Sequence, residues 1–299
     1  MTDTFSVAPH RIGLPLLSDQ IADLRVFAAN PDQRIPWGIP SLDILTEGPA
    51  AGEVHMVLGR SHVGKSLLAT NVLVNNPDKG MVFFSLEMPA RQAVQRLYAH
   101  WAKVDHRAVQ QMTRNNSLPQ HLDQMAEALA RHIIIDRGSL TLGDMALYCE
   151  AYEGFFGLRP AAVIIDYLEL VGGTKASGEG WQRTEAVAGA LKDWAKDQEM
   201  PVFILHQCTK EEPEYKPPTQ NSARGAGFTE SDVVIGMWQP WRDPNLGRVE
   251  REMIRNEVHF NVIKNRVTGR LTTAPIPMIL RDDLRFIDMN APQNGDFNA

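Results

Sequence analysis

Gly59-Arg60-Ser61-His62-Val63-Gly64-Lys65-Ser66 is the stretch that decides the fold. It fits G-x-x-x-x-G-K-[ST], in which the glycines let the backbone curl so that successive N–H groups point at phosphate oxygens. Arg60, Ser61, His62 and Val63 supply the amides between the two glycines. An apolar run, Val54-His55-Met56-Val57-Leu58, leads into the loop, and a helical stretch from Ser66 to Leu73 leads out. The start of that helix adds positive potential where a phosphate would sit. In such a loop Lys65 reaches the β- and γ-phosphates of a nucleotide, and the Ser66 hydroxyl holds Mg²⁺.

Outward from the loop, strand and helix signals alternate. Short apolar runs predict strands over residues 53–58, 80–86, 132–136, 162–166, 201–207, 232–238 and 259–264, as buried parallel strands require. Between them, Ala90, Ala93, Val94, Leu97, Tyr98 and Trp101 keep helical spacing. So do Leu118, Leu122, Met125, Ala126 and Leu129, and again Val187, Leu191, Trp194 and Ala195. Such alternation predicts an α/β fold with a mostly parallel central sheet flanked by helices. Near the N-terminus, Ser18 is a candidate cap for a helix over residues 19–29, and residues 36–51 read as a loop-rich approach to the first strand.

Two carboxylates stand out against that frame. Asp166 closes the apolar run Ala162-Val163-Ile164-Ile165, at the sheet edge where ligands bind in open α/β folds, and is the second metal-holding candidate beside Ser66. Hydrolysis also needs a carboxylate to orient and activate the attacking water. Tyr167 follows Asp166, so the choice lies between Glu169 and Glu87. Glu87 directly follows the strand 80–86, expected to neighbour the phosphate-loop strand, and is the favoured of the two.

Composition narrows the class. The 299 residues include 43% hydrophobic and 22% charged residues, at globular averages. No apolar run approaches the ~20 residues of a membrane span, and MTDTFSVAPHRIG lacks a basic-then-apolar leader. Two cysteines, Cys149 and Cys208, cannot build a disulfide framework, which suits a reduced compartment and leads us to expect a cytoplasmic protein of a bacterial or phage-infected cell. The net charge of −6 argues against a simple polycation, while leaving room for a basic channel within an acidic shell. The nine histidines show no H-E-x-x-H spacing and the cysteines no C-x₂-C pair, so no zinc site is expected. No guanine-reading N-K-x-D stands in a suitable place, which prefers ATP over GTP.

Taken together, these residues resemble the C-terminal ATPase domain of DnaB-type replicative helicases, among the RecA-like ring motors. The resemblance covers roughly residues 37–290. Trp37-Gly38-Ile39-Pro40-Ser41-Leu42-Asp43 is similar to the family's T-G-[IF]-x-x-L-D. Phe84-Ser85-Leu86-Glu87-Met88-Pro89 resembles its F-S-L-E-M segment, whose Glu activates water. Ile164-Ile165-Asp166-Tyr167-Leu168-Glu169-Leu170 resembles I-D-Y-L-Q-L, and the family's Gln at position 169 argues against Glu169 as the base. Phe203-Ile204-Leu205-His206-Gln207 is similar to the strand ending in a γ-phosphate-sensing Gln. Ser222-Ala223-Arg224-Gly225-Ala226-Gly227 is like the L-R-E-S-G segment. Ile263-Lys264-Asn265-Arg266-Val267-Thr268-Gly269 resembles K-x-R-x-G-x-x-G, whose Lys and Arg reach a neighbouring subunit's γ-phosphate.

The resemblance implies a RecA-like P-loop NTPase that binds Mg²⁺ and ATP between subunits of a homo-oligomer, most simply a hexameric ring, with Lys264 and Arg266 acting in trans. It implies a motor domain over 37–290, preceded by an arm over residues 1–36 whose short helix is linker-like, while the polar composition of 291–299 reads as a flexible tail. Spacing alone leaves Lys264 and Arg266 open to a reading as solvated hairpin residues. Two long Gly/Pro-containing stretches, 171–180 and 209–224, have the length of functional loops. With them, Lys175, Arg183, Lys210 and Arg224 are candidates to contact the phosphates of single-stranded DNA. The leading expectation is an ATP-dependent DNA translocase or helicase in replication. A recombination or repair ATPase that remodels DNA without processive unwinding, and a non-hydrolysing ring of the same fold, remain the alternatives. The family's N-terminal helical domain has no counterpart in residues 1–36, which supports the second reading.

Overall fold

The computed structural model describes residues 16–30, 33–117, 121–138, 140–168, 171–172, 181–208, 213–223 and 227–291. The chain divides into two units, Met1–Gln33 and Arg34–Ala299. In the first, α1 spans Leu17–Ala28 and none of its residues is buried. Ser18 does not cap it. The N-cap is Leu16, whose N–H donates to Asp19 Oδ2 at 3.0 Å, so an acidic third residue does the capping from inside the helix.

The second unit is built on a nine-stranded sheet. In chain order its strands are β1 (Val54–Gly59), β2 (Met81–Ser85), β3 (Ile133–Ile135), β5 (Ala162–Asp166), β7 (Val202–Gln207), β8 (Val233–Trp238), β9 (Glu257–Asn265), β10 (Ile276–Leu280) and β11 (Phe286–Asp288). Their spatial order is β11-β10-β9-β8-β1-β7-β5-β2-β3. The six strands from β8 to β3 run parallel, and β9, β10 and β11 add antiparallel pairs on one side. A small second sheet pairs β4 (Leu140–Thr141) with β6 (Val171–Gly172). All seven anticipated strands are present. The pair β10 and β11 was not anticipated.

Alternate residues of the parallel strands feed two cores. On one face Val57, Phe83, Ile164, Phe203 and Leu205 pack with α2 (Pro40–Thr46), α3 (Lys65–Asn75) and α4 (Ala90–Ala102), and the same core takes in Val109 of α5 (His106–Arg114) and Met125 of α6 (Leu122–Ala128). On the other, Met56, Leu58, Phe84, Ile165 and Ile204 pack with α7 (Leu142–Phe156) and α8 (Trp181–Asp197). The predicted loop over 36–51 is partly helical, because Pro40 opens α2 and Asp43 gathers the turn before it. The Asp43 carboxylate accepts from Trp37 N at 2.7 Å and Ile39 N at 3.1 Å. Trp37 is buried edge-on against Phe203, and its indole donates to Thr46 Oγ1 at 3.0 Å. This plug closes the start of the motor unit against the sheet. Among the described residues no helix is long and apolar enough to cross a membrane.

Candidate nucleotide site

The sequence places the phosphate loop between β1 and α3, and the geometry follows from its residue types. Gly64 adopts φ +108°, a conformation that L side chains rarely take, and His62 stands at φ +65°. Gly59 is needed for closeness instead: a Cβ there would sit 2.8 Å from Val63 Cγ1 and 2.9 Å from the Met237 carbonyl of β8. Val63 is buried and pins the loop to the core, while His62 is exposed. Lys65 Nζ donates to the carbonyls of Gly59 at 2.9 Å and Arg60 at 3.0 Å.

A cavity of about 560 Å³ opens over this loop. It is lined by Ser61, His62, Gly64, Lys65 and Ser66 of the loop, and by the ends of three neighbouring strands. Gln207 closes β7, in register with Gly59, and its Nε2 donates to Ser61 Oγ at 2.6 Å. Asp166 closes β5, and Glu87 follows β2.

Glu87 reaches the site by a different route from the one expected. Its strand does not neighbour β1, because β7 and β5 lie between them. Instead, Leu86 N and Glu87 N donate to the Asp166 carbonyl at 2.8 and 3.3 Å, which ties the turn after β2 to the end of β5. Glu87 is exposed in the cavity wall while Asp166 is buried. The other base candidate, Glu169, lies outside the described residues.

Electrostatics separate the two carboxylates. Burial pushes the Asp166 carboxyl above its ordinary range, and the nearby charge of Glu87 adds to this. A hydrogen bond from Ser66 and the charges of Lys65 and Arg96 oppose it. Asp166 Oδ2 is buried with no hydrogen-bond partner. A desolvated carboxylate oxygen beside a serine hydroxyl is a donor set that suits a hard divalent cation, so Ser66 and Asp166 fit Mg²⁺.

Arg96 is the residue that sequence reading missed. It lines the cavity from α4 together with Gln92, at i and i+4 on that helix. Burial lowers its pKa, and the charges of Asp166 and Glu87 oppose this. The available signal was the polar pair Gln92 and Arg96 on a helix that starts three residues after Glu87. His106 lines the same wall, with its pKa lowered by burial and by the charge of Arg96.

Lys264 and Arg266 do not line this cavity. They lie at the opposite end of the sheet. Asn265 pairs with Val233, the first residue of β8, and Arg266 N donates to the Asp232 carbonyl at 2.8 Å. Asp232 also receives Val54 N, the first residue of β1, at 2.7 Å. Gly59 is five residues further along β1, roughly 17 Å away. A salt bridge of 2.6 Å from Lys192 on α8 braces Asp232. Lys264 Nζ donates to the carbonyls of Phe228 and Thr229, and burial followed by the charge of Arg266 pushes its pKa down to about 8.

Of the four DNA candidates, Arg183 is exposed in the first turn of α8. Lys175, Lys210 and Arg224 lie outside the described residues.

The family model for the DnaB-like helicase C terminal domain matches residues 35–278. The chain belongs to that family. Among curated relatives, the replicative DNA helicase DnaB of Geobacillus stearothermophilus is 28% identical over 212 residues, covering 67% of this chain and 46% of the relative. DnaB of Leifsonia xyli subsp. xyli is 30% identical over 213 residues, covering 67% and 45%. The chain thus spans about half the length of these relatives. Among solved structures, the ATPase domain of G40P superposes with a TM-score of 0.76 at 17% identity, covering 93% of this chain and all of that one. A DnaB-like replicative helicase, solved in a study of its interactions with primase, gives 0.73 at 17% identity over 93% of this chain and 67% of its own. Both likenesses confirm the RecA-like architecture, and the DnaB family assignment carries nucleotide binding with it.

Proposed function

We propose that this chain is the motor of a DnaB-type replicative helicase, hydrolysing Mg·ATP between subunits of a ring and translocating on single-stranded DNA. The carrying observation is the convergence of loop, metal carboxylate, catalytic carboxylate and Gln207 on one cavity, with Lys264 and Arg266 at the far end of the same sheet. Loop amides and the Lys65 ammonium would cradle the phosphates. Ser66 and Asp166 would hold Mg²⁺, which when bound neutralises phosphate charge. Glu87, at the exposed wall, orients the attacking water and accepts its proton. Gln207, tied to Ser61 at the end of the adjacent strand, is placed to couple the phosphate to β7 and to the loop that follows. Arg266 and Lys264 are too far from their own loop to complete it, which supports their serving a neighbour's nucleotide.

Single-stranded DNA as substrate and a hexamer as assembly are drawn from the family. The relatives' names, replicative DNA helicases, favour this reading over a recombination or repair ATPase. Primase, with which one structural neighbour interacts, is a candidate partner. The test is ATP turnover with and without single-stranded DNA, followed by strand displacement on a forked duplex. Stimulated turnover with displacement is expected, and Lys65→Ala is expected to abolish both. Stimulation without displacement would move the protein to the remodelling class, and normal turnover in Lys65→Ala would overturn the loop assignment.

A further inference from the structure

A second cavity of about 600 Å³ lies in the connection between β8 and β9, at the same end of the sheet as the phosphate loop. It shares no lining residue with the nucleotide cavity. Its walls are a 3-10 turn, Pro240–Arg242, and a short helix, α9 (Arg248–Met253). Three arginines, Arg248, Arg251 and Arg255, line it. Glu252 is the carboxylate in the lining, and it is held by Arg255 at 2.9 Å. Arg248 and Arg251 have no carboxylate partner among the described residues. In a chain of net charge −6, this is a local concentration of positive charge.

Two further donors sharpen the reading. Trp241 Nε1 and Arg251 Nε are both buried without a hydrogen-bond partner, and both residues line the cleft. A buried donor without an acceptor is costly, and native proteins rarely keep one unless something else satisfies it. The Arg251 guanidinium is anchored through its Nη2 to the Pro244 carbonyl at 2.8 Å, so its fork is held in place. Leu246 and the indole of Trp241 give an apolar surface beside the cationic one.

We infer that this cleft binds a phosphate ester, the unit shared by free nucleotides and by nucleic-acid strands. Guanidinium forks match the oxygens of a phosphate in pairs, and several can converge on one tetrahedral anion. The apolar wall suits the nucleoside that accompanies such a phosphate better than the mobile methylenes of an acidic side chain.

The chain has six tryptophans, so 5-fluorotryptophan labelling gives a small set of ¹⁹F resonances, and Trp241→Phe identifies the one from the cleft. The probes are thymidine 5′-monophosphate, a single-stranded oligothymidylate without a terminal phosphate, and an oligoglutamate peptide. A saturable shift of the Trp241 resonance is expected with at least one of the first two. Saturation by the monophosphate assigns free nucleotide, and a response to the oligonucleotide alone assigns a strand. Arg248→Ala, at an exposed position, and Arg251→Lys are each expected to weaken that binding about tenfold, with ATP turnover in the absence of DNA unchanged. Three results would overturn the inference: no shift from either nucleotide probe, undiminished binding in both variants, or oligoglutamate binding as tightly as the nucleotide probes.

Discussion

Asp166 and Glu87 carry the same functional group at the ends of two paired strands, and their surroundings differ in the way the two proposed roles require. Asp166 is buried, leans on Ser66 and has an unpartnered oxygen, which suits holding a cation better than taking a proton from water. Glu87 stands in the open wall of the same cavity, where a water can reach it. Glu87→Gln keeps the shape of the wall while removing the proton acceptor. Turnover is therefore expected to fall about 10²- to 10⁴-fold, the usual worth of a positioned general base. Nucleotide affinity, followed by titration with a fluorescent ATP analogue, should be retained. Undiminished turnover would pass the role to another group. The position of Glu87 was legible from its place after an apolar run, but strand adjacency gave the wrong reason for it. Backbone pairing to the Asp166 carbonyl, which no side-chain pattern reports, is what delivers it. Arg96 was illegible for a related cause: on a helix whose stripe of apolar residues draws the eye, its polar face is read as solvated until the cavity is seen.

At the scale of elements, the inner parallel strands could be read because burial on both faces leaves each as a short apolar block. The pair β10 and β11 could not. In β10, Ile276 and Met278 are buried while their neighbours are half-exposed, and Pro277 interrupts the run. α7 escaped notice because its apolar residues surround it: Met145, Cys149 and Tyr152 are buried, yet Leu147 and Phe155 are exposed, so no single stripe emerges. The start of β1 shows how one element is held by charge. Arg34 clamps Glu53 with two hydrogen bonds of 2.9 and 3.0 Å, and His55 Nε2 lies 3.4 Å from the same carboxylate. Burial alone would raise the Glu53 pKa, but His55, Arg34 and Ala50 N together bring it down to about 2. His55 is fully buried, and burial lowers its pKa below 6.5. The signs agree. As pH falls below 6.5 the unfolded chain protonates His55 before the folded one does. From 4.5 down to about 2 the same holds for Glu53. Stability is thus full near neutrality and is lost on acidification, through His55 from 6.5 downward and through Glu53 between 4.5 and about 2, each group adding a slope of at most about 1.4 kcal/mol per pH unit. Urea unfolding across this range should show Glu53→Gln losing the Glu53 contribution between 4.5 and about 2, while the loss that begins below 6.5 persists because His55 stays buried. A variant whose acid profile matches that of the parent would show that the clamp does not set it.

At the scale of the whole molecule, the sheet itself is the argument for assembly. One end carries the loop, Asp166, Glu87 and Gln207, and the other carries Arg266 on a backbone hydrogen bond to Asp232, with Lys192 bracing that residue from α8. A rigid parallel strand cannot fold back to join its two ends, so on the proposed reading the cation at the far end serves a nucleotide that another copy supplies. An arginine placed that way is worth about 10³- to 10⁵-fold in rate. This makes a complementation experiment decisive. On that reading, Arg266→Ala leaves a subunit with its own loop and Glu87 intact but spoils the site next door. Glu87→Ala spoils its own site and leaves its finger intact. Each variant alone should be nearly inactive. Mixed in equal amounts and allowed to exchange subunits, about one interface in four in a cyclic assembly pairs a sound loop with a sound finger. ATP turnover should accordingly rise to about that fraction of the parent's. If both residues served the same chain's nucleotide, every subunit would still carry one defect and mixing would restore nothing.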